Sequence, residues 1–160
     1  MTYSLSQTLP IIRDLRFSLM DKNINCRFVV GVVKLETKIN TQKAWNMMGA
    51  GLSRARSKLE EKKPNTLYRF SLEQDPLTEN MLDAIGTGLT LIEQDWTNLQ
   101  RENITALMGG LKPAELAQRR NVSVHSIYKV RNSGHFDVYV IQWHAINEAL
   151  MALDKKLGIN

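Results

Sequence analysis

The sequence of 160 residues is poor in several residue types that would define a fold or a chemistry. Its single cysteine, Cys26, excludes an intrachain disulfide and a cysteine-based zinc site. Its three histidines cannot form a metal site without several converging carboxylates. Nine glycines and four prolines argue against a loop-rich or all-β chain. No Ser/His/Asp group or paired-carboxylate motif stands out, so we predict no metal, no cofactor and no catalytic residue.

Long hydrophobic runs are also absent. No window approaches 18 uninterrupted apolar residues, so we expect no transmembrane helix and no membrane partner. Residues Met1–Ser6 lack the basic start and apolar block of a signal peptide, which favours a cytoplasmic protein. With 43% hydrophobic and 23% charged residues, the composition is typical of a globular chain of one domain or two small ones.

The charge of the chain is unevenly distributed. Twenty-one Lys and Arg residues against sixteen Asp and Glu residues give a net charge of +5. The segment Leu111–Gly134 contains five Lys and Arg residues and a single acidic residue, Glu115, whereas the segment Ser71–Glu102 is acidic. A local basic excess is typical of proteins that bind nucleic acid, so the basic segment is the first place to search for function.

Hydrophobic spacing predicts two strands among several helices. The segment Cys26–Leu35 is β-branched and almost continuously apolar, which predicts a strand buried on both faces. Its Gly31 indicates a close backbone approach. Thr66–Leu72 alternates apolar and polar residues and predicts a half-exposed strand. Five helices are predicted. The first begins near Leu9, and the second is capped by Thr41 and runs to about Glu61, with Met48 and Leu59 inward. The others are capped by Thr78, run from Glu102 to Met108, and run from near Val138 to Leu157 with Ile141 and Leu157 in the apolar stripe.

The helix that begins at Thr78 carries a heptad pattern. Its apolar residues recur at spacings of three and four, and they are Leu82, Ile85, Leu89, Ile92, Trp96 and Leu99. The pattern lasts for fewer heptads than a coiled coil requires. It therefore favours a helix that lies on the core of its own chain, and a two-helix dimer seam is the alternative.

The segment Lys112–Arg131 has the pattern of a helix-turn-helix. Pro113 suits the first turn of a helix, because its missing N–H costs nothing there. Asn121 stands at the sharp turn, where a left-handed conformation is usual, and Ser123 can cap the second helix. The spacing predicts a small core formed by Leu116, Ala117, Val122, Ile127 and Val130.

The second helix of this unit would enter the major groove of DNA. Its outward residues predicted to reach base edges are Val124, His125, Ser126, Tyr128 and Lys129. The cations predicted to contact phosphates are Lys112, Arg119, Arg120, Lys129 and Arg131. Arg120 stands where an apolar residue is usual, although its stem can still cover the core. A degenerate copy that does not bind DNA and a unit that docks a protein are the alternatives.

Several short motifs together resemble the SatD family. They are Arg27–Val32, the turn Thr37–Asn40, Gly49, the pair Ala55-Arg56 and Trp96–Glu102, within a region of about Ile11 to Ala149. The resemblance implies a DNA-binding or regulatory protein with no assigned chemistry. It also implies that the front of the chain is similar to the palm-type α+β domain of nucleotide cyclases.

The departures from that family concern catalysis. Lys34 stands where the family tends to have Glu, and Met48 stands where it tends to have Asp. The family's metal-binding carboxylates at the front have no counterpart here, so we expect an N-terminally truncated member. A palm enzyme needs clustered carboxylates to hold Mg²⁺ on a triphosphate, so the resemblance implies no cyclase or polymerase activity.

The truncation also predicts an oligomer. Two strands rarely form a stable sheet alone, and Cys26–Leu35 would lack its family partner. We therefore expect this edge to pair with a second copy and give a two-fold homodimer. A monomer in which the N-terminal helix covers this edge would contradict that expectation.

These observations predict an α+β, mostly helical protein. The predicted parts are a truncated palm-like two-strand domain at 1–77, a long connecting helix at 78–102, and a helix-turn-helix domain with a long C-terminal helix at 103–160. The predicted function is dimeric transcription regulation through double-stranded DNA. Two alternatives are open: a protein-interaction module that uses the heptad face, and a regulator that senses a nucleotide, although no residue identifies an effector.

Overall fold

The computed structural model describes residues 4–33, 35–38, 48–61 and 66–159. The fold is α+β and mostly helical, as the sequence predicts. In chain order the elements of the described residues are α1 Leu5–Met20, β1 Phe28–Gly31, α2 Ala50–Glu60, β2 Tyr68–Ser71, α3 Pro76–Asp95, α4 Asn98–Met108, α5 Pro113–Arg120, α6 Val124–Ser133 and α7 Phe136–Leu157.

The two strands form a parallel sheet. The register pairs Phe28 with Tyr68 and Gly31 with Ser71. Gly31 is required at its position, because a Cβ there would collide with the carbonyl oxygen of Ser71. Both strands are shorter than predicted, and the predicted burial is reversed. Every residue of β2 is buried, whereas β1 is half-buried except at the buried Val30.

The burial of β2 follows from α3, which lies along the edge of β2 that faces away from β1. Side chains of α3 accept hydrogen bonds from backbone N–H groups of this strand and its flanks. The N–H groups of Leu72, Phe70 and Leu67 donate to Glu79 Oε2 (2.6 Å), Asp83 Oδ1 (2.8 Å) and Thr90 Oγ1 (3.1 Å) respectively. Side chains of α3 thus satisfy backbone donors that a third strand would otherwise have to pair.

The outer edge of β1 has a different environment. In this register the backbone polar groups of Val29 and Gly31 point away from β2. A cavity of about 250 Å³ lies beside them, lined by β1, by Ser4, Leu5 and Thr8 of the α1 end, and by Ile159. Because the strand has four residues and α1 adjoins it, little free edge is left for pairing with a second copy.

The core has two parts. The larger cluster combines buried residues of α1, both strands, α3, α4 and α7, among them Leu9, Phe70 and Ile146. The smaller one belongs to α5 and α6 and contains Leu116, Ala117 and Ile127. None of the described helices is both long enough and apolar enough to cross a membrane.

The heptad pattern of α3 faces the core of its own chain. Leu82, Leu89 and Trp96 are buried in the larger cluster, and Ile85 and Ile92 pack against it. The pattern ends where the helix ends, because Trp96 is its extended C-cap and Leu99 lies exposed on α4. The prediction of a helix on a core is confirmed, and this face is closed to a partner.

Several predicted helix details are wrong. The N-cap of α3 is Asp75, whose carboxylate accepts from the N–H of Thr78 at 3.1 Å, so Thr78 lies inside the helix. Helix α2 begins at Ala50, after Met48, which is 64% exposed instead of inward. Leu59 is also exposed. The predicted cap Thr41 lies outside the described residues.

The remaining helices differ from the predictions in extent or face. Helix α1 begins at Leu5, and α4 begins at Asn98 with a capping box formed by Thr97 and Gln100. In α7 the predicted apolar stripe is displaced, since Ile141 and Leu157 are exposed. The residues that α7 buries in the core are Tyr139, Trp143, Ile146, Leu150 and Leu153.

Candidate nucleic-acid interface

Helices α5 and α6 form the predicted helix-turn-helix, and its turn has the predicted geometry. Asn121 ends α5 with φ 53° and ψ 45°, in the left-handed region that Asn tolerates better than most residues. Ser123 begins α6, and its hydroxyl accepts from the N–H of Ser126 at 3.2 Å. Gly109 and Gly110 separate the unit from α4.

The small core of the unit differs from the prediction at one position. Leu116, Ala117 and Ile127 are buried as expected, and Val130 is half-buried. Val122 is 45% exposed and does not plug the core. Its backbone N–H instead closes the end of α5 by donating to the carbonyl of Ala117 at 3.0 Å. The core is completed from outside the unit by Ala106, Leu107 and Leu111.

Four of the five residues predicted to read bases lie on the free face of α6. Val124, His125, Tyr128 and Lys129 are exposed. Ser126 is half-buried, and its hydroxyl lies 2.9 Å from that of Ser123, so its side chain belongs to the helix cap. The geometry therefore favours four readers and assigns Ser126 a part in holding the first turn of α6.

The five predicted phosphate contacts fall into two classes. Arg120 forms an ion pair with Glu102 at 2.6 Å, and Arg131 forms one with Asp137 at 2.5 Å while its guanidinium lies over the ring of Phe136. The exposed cations Lys112, Arg119 and Lys129 have no salt bridge to any carboxylate in the described part of the chain. Among the five, the uncompensated positive charge is therefore concentrated on these three residues.

A second polar site, which the sequence analysis does not predict, lies in the main core. Glu93 of α3 accepts from Arg16 Nε at 2.5 Å and from the hydroxyls of Tyr68 and Tyr139 at 2.7 Å each. Burial raises the pKa of Glu93, and the guanidinium and the two hydroxyls oppose that rise. Burial and the neighbouring carboxylate raise the pKa of both tyrosines well above 10.

This buried network is suited to stability and not to chemistry on a ligand. Arg16 and Glu93 are 0% exposed, so no substrate can reach the carboxylate. The only signal that could have indicated it is the position of Glu93 within the heptad face of α3, four residues after Leu89. Elsewhere among the described residues, no three His, Cys, Asp or Glu side chains are grouped to hold a metal ion.

The cavity beside β1 is relevant to the predicted nucleotide sensor. Its lining is mostly aliphatic, with the hydroxyls of Ser4 and Thr8 at one side, and includes no Lys or Arg side chain. Nucleotide phosphates are usually held by cations or by a helix N-terminus. The N-terminal N–H groups of Leu5 and Ser6 already donate to Asp154, so this cavity offers no free phosphate site.

Comparisons with protein-family models, with curated proteins and with solved structures give no match for this chain. The SatD resemblance therefore stays a prediction, and the site must be interpreted from its own geometry.

Proposed function

We propose that this protein binds double-stranded DNA through α5 and α6 and regulates transcription as a dimer. The observation that carries the proposal is the combination of a left-handed Asn121, a Ser123 cap and a second helix with an exposed polar face. This is the local geometry with which helix-turn-helix proteins present their recognition helix to the major groove. No catalytic step and no cofactor is part of the proposal.

The exposed charge supports a duplex as the partner. Lys112, Arg119 and Lys129 lie on the unit itself and have no described carboxylate partner that a phosphate would have to displace. Binding of phosphates by such cations releases counterions and makes affinity strongly dependent on salt. Arg120 and Arg131 would first have to exchange Glu102 and Asp137 for phosphate, so we assign them a smaller contribution.

Base readout is assigned to the start of α6. Lys129 and His125 can hydrogen-bond to base edges, and Val124 can contact a thymine methyl group. Tyr128 is exposed on the same helix and can donate from its hydroxyl to a base or a phosphate. These contacts would give sequence preference on top of the electrostatic affinity.

The test is a fluorescence-anisotropy titration against random duplex DNA at about 50 and 200 mM salt. We expect Arg119→Ala and Lys129→Ala to weaken binding and to reduce the salt slope by about 1 each. The matched control is Lys22→Ala, which removes one exposed charge from the turn after α1, outside the unit. Loss of binding at the higher salt supports the proposal. Absence of binding at both salts makes the unit a packing or docking element.

The alternative of a protein-interaction module needs a different surface from the predicted one. The heptad face of α3 is buried against the chain's own core, so it cannot receive a partner. Any docking function must use residues that the structure leaves exposed.

A further inference from the structure

Exposed apolar side chains line both sides of the contact between α3 and α7. The two helices run antiparallel, because Gly88 lies against Gln142, Glu93 bonds to Tyr139, and Trp96 Nε1 donates to the Gly134 carbonyl. On α3, the exposed apolar residues lie one or two turns from Gly88. On α7, Val138 and Ala145 lie one turn from Gln142, and Ile141 lies one turn from both of them, so these residues share the open side of the helix pair. We call this surface the α3–α7 flank, and it comprises Met81, Ala84, Leu91, Val138, Ile141 and Ala145.

The flank is unusual for its exposed apolar surface. Met81 is 58% exposed and Ile141 is 68% exposed, and the other four are exposed as well. A contiguous apolar surface of several hundred Å² marks an interaction site in a water-soluble fold. We infer that this flank is the contact surface for a second copy of the chain, related by a two-fold axis near Ala145.

The open face of α3 and α7, at whose centre the flank lies, is large enough for a dimer. The face is about 30 Å long, and two adjacent helices of about 10 Å diameter make it on the order of 600 Å². Two copies would bury about 1,200 Å², the lower bound of specific interfaces. Their packing would be that of an antiparallel four-helix bundle, in which such apolar faces are normally buried.

Charge at the two ends of the flank favours another copy as the partner. Asp95 lies at the end of α3 near Gly134, and Lys156 lies at the opposite end of α7. Neither residue has a salt bridge within the described ranges, and Lys156 lines a cavity together with Asp75, whose pKa it helps to lower without forming an ion pair. Measured along α7, the level of Asp95 is about 9 residues, or about 14 Å, before Ala145. Lys156 is 11 residues, or about 17 Å, after Ala145. A two-fold axis at Ala145 therefore places Asp95 of each copy beside Lys156 of the other.

The same arrangement gives a suitable spacing for DNA, an argument that rests on the proposed function. The helix-turn-helix adjoins the first turn of α7, a helix of 22 residues and thus about 33 Å. Antiparallel pairing of α7 puts the two units at opposite ends of the pair. Their separation is then close to the about 34 Å between successive major grooves on one side of a duplex. This dimer leaves the β1 edge unused.

The test measures the mass of the full chain by light scattering and sedimentation between about 1 and 100 µM, without DNA. We expect a dimer, and we expect Leu91→Glu and Ile141→Glu to weaken it by about 100-fold, because each buries a carboxylate without a partner in the apolar contact. The control is Leu15→Glu, an equally apolar and exposed position on α1. Circular dichroism of each variant checks that the fold is retained.

A charge-reversal pair makes the test independent of folding defects. Asp95→Lys and Lys156→Glu should each weaken the dimer, and the double variant should restore it. A wild-type monomer at 100 µM, or a dimer that survives both Leu91→Glu and Ile141→Glu, overturns the inference. A flank-dependent dimer with no DNA affinity refutes the proposed function alone, and a DNA-binding monomer refutes the flank alone.

Discussion

Arg16 and Glu93 lie 77 positions apart in the sequence and form an ion pair with no solvent exposure on either side chain. Arg16 Nε donates to Glu93 Oε2 at 2.5 Å, and the second carboxylate oxygen accepts from Tyr68 and Tyr139. One carboxylate therefore connects α1, β2, α3 and α7. Two guanidinium nitrogens of Arg16 have no hydrogen-bond partner among the described residues, so Glu93 is the group that compensates this buried charge.

Replacement of this carboxylate should destabilise the protein strongly. We expect Glu93→Gln to lower the free energy of unfolding by about 3–5 kcal/mol, because it leaves the Arg16 charge buried without a counter-ion. Urea denaturation followed by circular dichroism measures the change. The double variant Arg16→Met, Glu93→Gln should recover most of the loss, since it removes both buried charges and keeps an amide oxygen that can accept from the hydroxyls of Tyr68 and Tyr139. A single variant as stable as wild type would contradict the structural role of the pair.

Asp154 should make stability depend on acid. Its carboxylate accepts from the N–H groups of Leu5 and Ser6 at 2.7 and 3.0 Å. Burial tends to raise its pKa, but these hydrogen bonds outweigh burial and lower the pKa. Because the folded pKa lies below that of the unfolded chain, the stabilisation is complete above about pH 4 and is lost as pH falls through the folded pKa.

Asp154→Asn tests this dependence. We expect the variant to lose about 2 kcal/mol at pH 7 and to differ much less from wild type at about pH 2. Parallel urea titrations at the two pH values give both differences. An equal difference at the two pH values would show that the charge of Asp154 is unimportant.

The turn of the helix-turn-helix predicts a ranking of substitutions at position 121. The left-handed backbone of Asn121 suits glycine and opposes a β-branched side chain. Asn121→Gly should therefore change stability by less than about 0.5 kcal/mol, and Asn121→Val should cost about 1–2 kcal/mol. Thermal unfolding compares them, with the exposed Gln118→Val as the matched β-branched control. The ranking fails if both valine variants lose the same stability.

The ion pair between Arg120 and Glu102 predicts a variant with stronger DNA binding. Glu102→Gln removes a carboxylate that competes with phosphate for the Arg120 guanidinium. We expect tighter binding to random duplex DNA at 50 mM salt and a salt slope that is steeper by about 1. Glu60→Gln on α2 removes an equal charge far from the unit and serves as control. If the two variants changed DNA affinity equally, the effect would be due to the net charge of the protein and not to the Arg120–Glu102 ion pair.

The helix-turn-helix was predictable because its signals are local. Pro113, Asn121 and Ser123 each specify the backbone at their own position, and the structure gives each the predicted role. Val122 was assigned wrongly because its burial depends on a neighbour outside the motif. The unit completes its core with residues from α4 and the loop that follows, and no spacing rule within the motif indicates this.

The hydrogen bonds at the edge of β2 and the network of Glu93 could not be predicted, because they depend on contacts between residues that are distant in the sequence. A carboxylate within a helical pattern normally indicates a solvated face, and Glu79 and Asp83 follow that pattern in the sequence. Glu93 lies on the heptad face, but its position alone does not indicate a buried partner. In the fold these three carboxylates meet a strand edge or a buried arginine that lies far away in the chain. Their role depends on a non-local contact, so hydrophobic periodicity places the helix correctly and misjudges its polar face.

The attachment of α1 has a consequence for the order in which the chain can mature. The first turn of α1 is held by Asp154, its middle by Glu93, and Arg13 lies over the ring of Trp143. All three anchors are made after α1 during synthesis, and Trp143 and Asp154 belong to α7. Helix α1 therefore cannot complete its packing until α7 has emerged from the ribosome. Until then its apolar face is accessible to chaperones and to other nascent chains.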